Sequence, residues 1–240
     1  MYSRKLILLN HTKEKLMKIN ANNINVIVNN HKILTDITFE LNTNDVVALV
    51  GSNGSGKSTL INVLANTIKF DGELLMDGKD IRTKNRANYR KVISVSFQNP
   101  DLQLFEKTVI KEVEQSLIIN GTNKKEANKE ALVLLKRFKF QKLANINPYS
   151  LSAGEKRILL IIIAISRKPE LLLFDEITSN LDNKSTVMVT NFLKKIKDII
   201  IVFSTHDFRM AKLLSNKVMI IESGEIKTFD DTKKIRRRNE

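Results

Sequence analysis

The sequence predicts an α/β protein with a mainly parallel sheet, helices on both faces and a helical section inserted into it. Three observations carry this. Apolar, β-branched runs alternate with segments of helical spacing, the pattern of a parallel sheet with crossover helices. A glycine-rich stretch, Gly51–Thr59, joins the apolar run Val46–Val50 to Leu60-Ile61-Asn62-Val63-Leu64, so strand, loop and helix are written in order. The middle of the chain, from Lys107 to Arg167, reads as helix alone.

The elements follow in turn. Asn22–Val28 and Ile37–Leu41 read as strands by alternation and β-branched content. Glu73–Met76 is a strand ending in the turn Asp77-Gly78, and Val92–Phe97 is another strand. Lys107–Ile119 and Lys124–Phe138 have helical spacing and are separated by Asn120-Gly121. A third helix spans Ser152–Arg167, with Pro169 after its end. Leu171–Phe174 is a buried strand, followed by a helix over Lys184–Lys197 and a second buried strand, Ile199–Phe203. Val218–Glu222 and Glu225–Phe229 are strands meeting at Ser223-Gly224. The division is a basic N-terminal extension over 1–20, one domain over 21–230 with its helical subdomain at about 100–167, and a basic tail over 231–240.

Composition narrows the class. The 240 residues are 42% apolar, ordinary for a core-forming protein. The longest apolar run, Ile158–Ile165, is too short for a membrane span, which needs about 20 residues. Leu6–Leu9 is too short for a signal-peptide core, so the expectation is a cytosolic chain. There are no cysteines, which excludes disulfides and thiolate metal sites. Lys and Arg total 40 against 26 Asp and Glu, a net charge of +14, and the excess is spread along the chain. Spread charge points to composition bias first and to an anionic membrane surface second; nucleic acid is not the expected partner.

Gly51–Thr59 fits G-x-x-x-x-G-K-[ST], with Gly51, Gly56, Lys57 and Ser58 at the fixed positions. Gly51, Gly54 and Gly56 let the backbone turn its N–H groups inward where a Cβ would obstruct them. Ser52, Asn53, Ser55 and Thr59 complete the loop. Lys57 adds a full charge, the helix N-terminus favours the same anion, and the Ser58 hydroxyl can ligate the Mg2+ that travels with ATP. Leu171–Phe174 runs into Asp175 and Glu176, the first suited to holding Mg2+ through water and the second to polarising an attacking water as general base. Gln98, after the Val92–Phe97 strand, can join Ser58 on the metal. His206 follows the Ile199–Phe203 strand, at the carboxyl edge where ligands of parallel sheets gather, and can donate to a γ-phosphate. Leu151-Ser152-Ala153-Gly154-Glu155 opens a helix, so Ser152 and Gly154 form a second anion site.

With these residues in order, the chain resembles the ATPase subunit of an ABC transporter over Asn22–Phe229. Gly51–Thr59 resembles its Walker A loop, and Gln98 its Q-loop. Leu151–Glu155 is similar to the signature LSGGQ, Leu171–Glu176 to Walker B with the catalytic glutamate, Ser179-Asn180-Leu181-Asp182 to the D-loop, and His206 to the switch histidine. The resemblance implies the P-loop ABC-ATPase fold, with an antiparallel β subdomain beside the parallel core. It implies a head-to-tail dimer with a second such subunit, identical or related, in which Ser152 and Gly154 contact ATP held by the partner. It also implies a membrane subunit docked near Gln98–Phe105 and a position on the cytoplasmic face of the membrane. Phe97-Gln98-Asn99-Pro100-Asp101-Leu102-Gln103-Leu104-Phe105 resembles the ATPases of energy-coupling-factor importers of vitamins and of cobalt or nickel. In that reading Leu102, Leu104 and Phe105 line a groove for a coupling helix. Ala153 and Glu155 depart from the signature, and Val28 stands where an aromatic commonly stacks on adenine. The second reading is a soluble ABC ATPase acting on nucleic acid, the ribosome or a protein assembly, supported by the +14 charge. A degenerate, non-hydrolysing cassette is disfavoured by the presence of Lys57, Asp175, Glu176 and His206.

Overall fold

A computed structural model describes residues 16–83, 86–178 and 181–235. Most of the 1–20 extension, Ser179 and Asn180 of the D-loop-like stretch, and Arg236–Arg238 lie outside the described residues.

Two sheets make up the β structure. The first is antiparallel, in the order β2-β1-β4-β5, from β1 (Lys18–Val28), β2 (His31–Asn42), β4 (Asp71–Met76) and β5 (Lys79–Asp80). Strand β1 starts at Lys18, before the Asn22 read from alternation. The reason is a bulge: the register shifts between Ala21 and Ile24, and Asn23 takes a φ of 50°. The extra residue moves the apolar phase from Ile19 and Ala21 to Ile24 and Val26, keeping all four on the buried face. A simple period of two is broken there, so the first half of the strand is hidden in sequence.

The second sheet has the order β10-β9-β3-β8-β7-β6. It comprises β3 (Val46–Val50), β6 (Ile93–Ser96), β7 (Leu171–Phe174), β8 (Ile200–Thr205), β9 (Lys217–Glu222) and β10 (Glu225–Asp231). All its pairings are parallel except β10 with β9. The pleat sends successive residues to opposite faces. Val47, Leu49, Leu171, Leu173, Ile200 and Val202 pack with α1 (Lys57–Leu64), with Tyr89 of α2 (Arg86–Val92) and with the antiparallel sheet. Ala48, Leu172, Phe174, Ile201 and Phe203 pack instead with the helical layer. That layer is α3 (Val109–Ile119), α4 (Lys124–Arg137), α5 (Ala153–Ser166), α6 (Asn183–Leu193) and α7 (Phe208–Leu214). Each fully buried Leu or Ile here is worth about 1.5–3 kcal/mol of transfer free energy, so continuous apolar strands such as Leu171–Phe174 make sense only between two layers.

Three short elements, β5, α2 and α7, were not anticipated, and α6 ends at Leu193 rather than Lys197. Each of the three has at most seven residues. Such lengths hold too few apolar repeats for a period to register. At the chain's end, Asp231 still belongs to β10 and Lys234 pairs with Asp230 at 3.0 Å, so the first residues of the basic tail are tied to the sheet.

The β9–β10 turn braces the rest. Gly224 N–H donates to the Ser55 carbonyl at 3.1 Å, and its carbonyl accepts from Thr35 N–H at 2.9 Å. Gly224 has φ +80°, and a Cβ there would sit 2.4 Å from the Ile33 carbonyl oxygen; Gly78 has φ +75° with nothing within 4 Å. Gly78→Ala should therefore carry only the left-handed penalty of about 1 kcal/mol, and Gly224→Ala a further roughly 1–3 kcal/mol of overpacking. Urea unfolding of the two variants checks this, and equal losses would contradict it.

Candidate functional site

The loop after β3 wraps its own lysine. Lys57 Nζ donates to the carbonyls of Gly51 at 3.0 Å and Ser52 at 2.7 Å. Burial leaves the lysine 8% exposed and pushes its pKa down, against the pull of Asp175 and Glu176. The glycines act for different reasons. A Cβ at Gly51 would meet the Ile221 carbonyl oxygen at 2.2 Å, and Gly56 combines φ +106° with a 2.6 Å approach to Leu34. At Gly54 nothing lies within 4 Å, so its φ of +77°, rather than an obstructed Cβ, is what asks for glycine. Gly56 is the N-cap of α1, which has no side-chain cap and no acidic residue in its first turn. Its first N–H groups and the positive end of its dipole therefore face the loop.

The carboxylates sit one strand away. Asp175 is buried, and its Oδ1 accepts from Ser58 Oγ at 3.0 Å and Ser204 Oγ at 2.7 Å. The Ser204 hydroxyl in turn accepts from Glu176 N–H at 2.7 Å. One hydroxyl on β8 thus holds both acidic residues at the end of β7, and a second ties them to the first turn of α1. Glu176 is half-buried and has a φ of 57°, a region that L-residues adopt only when their surroundings impose it. Ser204 had no assigned role in sequence; the available signal was a lone hydroxyl closing the apolar run Ile200–Phe203 beside a strand ending in acid. Ser58 and Asp175 present hard oxygen donors of the kind that hold a small divalent cation together with phosphate.

Gln98 and His206 lie at the same edge, after β6 and β8, and both are exposed. His206 is held between β8 and Asp207, the N-cap of α7, whose carboxylate accepts from Arg209 N–H at 2.7 Å. The Gln98 backbone carbonyl accepts from Arg157 Nη2 at 2.7 Å. Gln103 pins the following segment by accepting from Phe97 N–H at 2.8 Å and donating to the Val95 carbonyl at 3.1 Å.

Ser152 and Gly154 stand apart, at the start of α5. The Glu155 carboxylate accepts from Ser152 N–H at 2.9 Å and from the Ser152 hydroxyl at 2.7 Å, closing a capping box. The hydroxyl meant for an anion is thus occupied by a carboxylate of its own helix. In the apolar stretch after Gln98, Leu102 is 81% and Phe105 68% exposed, but Leu104 is 2% exposed and belongs to the main core. Leu104 is therefore not a groove residue; it packs into the core with the helical layer, and its carbonyl is held by the Tyr149 hydroxyl. Val28 is half-exposed at the end of β1, beside the turn to His31.

Ser204→Ala removes one donor from Asp175 and the acceptor of the Glu176 N–H. We expect a loss of about 1–3 kcal/mol in stability. We also expect turnover to fall more than ATP affinity, because the phosphate loop is untouched. Thermal unfolding together with kcat and KM for ATP checks this, and an unchanged kcat in the folded variant would contradict it.

Residues 34–179 match the family described as ABC transporter. The energy-coupling factor transporter ATP-binding protein EcfA of Aster yellows witches'-broom phytoplasma is 32% identical, over 82% of this chain and 72% of that protein. The methionine import ATP-binding protein MetN of Clostridioides difficile is 31% identical, over 92% of this chain and 71% of that protein. The solved structure of cbiO1 from Clostridium perfringens, described as part of the ABC transporter complex cbiONQ, superposes with a TM-score of 0.77 at 26% identity, covering 90% of this chain and 88% of that one. The chain belongs to the ABC transporter family, as one of its ATP-binding and ATP-hydrolysing subunits.

Proposed function

We propose that this ATPase powers import of a small solute, a vitamin or a transition-metal ion, through a membrane partner, by closing on ATP as a dimer and reopening after hydrolysis. The import side rests on the likeness to EcfA, MetN and cbiO1 and on the stretch Phe97–Phe105. Exposed Leu102 and Phe105 beside Gln98 are the docking surface for the membrane partner, at the cytoplasmic face. No helix among the described residues is long and apolar enough to cross a membrane.

The observation that carries the chemistry is the Ser58–Asp175 contact at 3.0 Å, with Glu176 next in the chain. Lys57 exchanges the Gly51 and Ser52 carbonyls for phosphate oxygens, while backbone N–H groups of the Gly51–Thr59 loop take the rest of the triphosphate. Mg2+ carried by the nucleotide would be held by the oxygen donors of Ser58, Gln98 and Asp175. Mg2+ supplies neutralisation of phosphate charge when bound. Glu176 orients the attacking water and accepts its proton, and His206 donates to the γ-phosphate. In the closed dimer Ser152 and Gly154 contact the ATP of the other subunit, so ATP favours a closed state by binding it better than the open one.

Glu176→Gln should lower hydrolysis by at least about 100-fold yet accumulate an ATP-bound dimer in size-exclusion chromatography. Normal turnover in that variant would remove Glu176 as the base. Glu155→Gln keeps a capping-box partner but removes negative charge from the mouth of the signature site. It should lower the ATP concentration needed for dimerisation by about two- to fivefold, the scale of one charge at a helix N-terminus. Light scattering across an ATP titration reads this, and an unshifted midpoint counts against the trans-site role of Ser152.

The net charge of +14 supports the second reading, a soluble ABC ATPase on nucleic acid, the ribosome or a protein assembly. Co-purification with a polytopic membrane protein supports import; sedimentation with ribosomes at moderate salt supports the second reading.

A further inference from the structure

Among the described residues, Arg157 is the bulkiest fully buried side chain, at 1% exposure. It lies on α5, facing the sheet behind the signature end. A guanidinium taken from water needs its donors met, and here those of Nη1 and Nη2 are met by backbone carbonyls. Nη1 donates to the Phe97 carbonyl at 2.9 Å and reaches the Asp175 carbonyl at 3.4 Å, while Nη2 donates to the Gln98 carbonyl at 2.7 Å. Burial pushes the guanidinium pKa down, while the neighbouring Glu176 and Asp175 charges pull it back up.

These carbonyls are a specific set. Two follow β6 and one follows β7, and they include the backbones of Gln98 and Asp175. In the proposed function those two residues and Ser58 hold the metal of the nucleotide. The same helix end holds the segment after Gln98 at two further points. Lys156 pairs with Asp101 at 2.7 Å, and the Tyr149 hydroxyl of the turn preceding α5 donates to the Leu104 carbonyl at 2.6 Å.

We infer that Arg157 is a positioning residue: its planar fork locks the Gln98 backbone to the Asp175 backbone from behind, and so sets the spacing of the two side chains that receive Mg2+ with ATP. The inference rests on the metal reading of Ser58, Gln98 and Asp175 in the proposed function. A lysine keeps the charge but cannot span carbonyls from two strands in one plane. A methionine keeps much of the apolar bulk and none of the donors.

The test is binding of a fluorescent ATP analogue to wild type, Arg157→Lys and Arg157→Met, in EDTA and across a Mg2+ titration. In EDTA, binding depends on Lys57 and the Gly51–Thr59 loop, and both variants should stay within about twofold of wild type. The Mg2+ concentration for half-maximal enhancement of binding should rise by about 10–100-fold in Arg157→Met, the usual scale for losing a residue that orients metal ligands, and by less in Arg157→Lys. An unchanged Mg2+ midpoint in a folded variant overturns the inference. Equal weakening with and without Mg2+ also overturns it, because that is the mark of general loosening. If Arg157→Met does not fold, Arg157→Lys alone decides between these outcomes. A wild type whose affinity ignores Mg2+ overturns the metal reading itself, and this inference with it, and is distinguishable because no variant is needed to see it.

Discussion

The central strands of the six-stranded sheet are buried on both faces, and that constraint organises the rest of the molecule. Residues at Leu171–Phe174 and Ile200–Phe203 meet packed layers on either side, so they must be apolar at every position. Polar chemistry is admitted only where the strands end. Since β3, β6, β7 and β8 run parallel, their carboxyl ends share one edge, and that edge collects Gly51, Gln98, Asp175, Glu176 and His206. Burial of the sheet and assembly of the site are the same event.

The edge is held by small polar links. Asp175 sits deep enough that an unpaired carboxylate would be costly, and the hydroxyls of Ser58 and Ser204 meet that need. They also fix the acidic pair relative to the first turn of α1. Lys57 is prepared in a similar way, its ammonium group resting on two carbonyls of its own loop. Such bonds are exchangeable: a phosphate offers Lys57 stronger, charge-assisted partners than a neutral carbonyl does. The β9–β10 turn, through Gly224, supports the loop at the Ser55 carbonyl.

The signature end of α5 is built differently. Ser152 and Glu155 satisfy each other, so that end is complete as a helix cap without any anion. The same helix is joined to the Gln98–Leu104 segment by Arg157 and Lys156, with Tyr149 just before it adding a third link. Exposed Leu102 within that segment and Phe105 just after it therefore stand on a base that is also bonded to the Gln98 and Asp175 backbones.

Much of the fold and site was legible because it depends on contacts between near neighbours. The Gly51–Thr59 loop, the acidic pair after an apolar strand and the helix start at Ser152 are determined by spacing along the chain. The order of strands and helices follows from periods of two and 3.6 residues in segments long enough to show them. What failed was short or out of phase: α2 and α7 with seven residues each, and the start of β1 behind its bulge. The inward turn of Leu104, the bracing by Gly224, the two hydrogen bonds of the Ser204 hydroxyl and the cross-strand grip of Arg157 were decided by tertiary structure alone. Each joins residues tens of positions apart or depends on which face a later element covers, and local pattern carries no record of such neighbours.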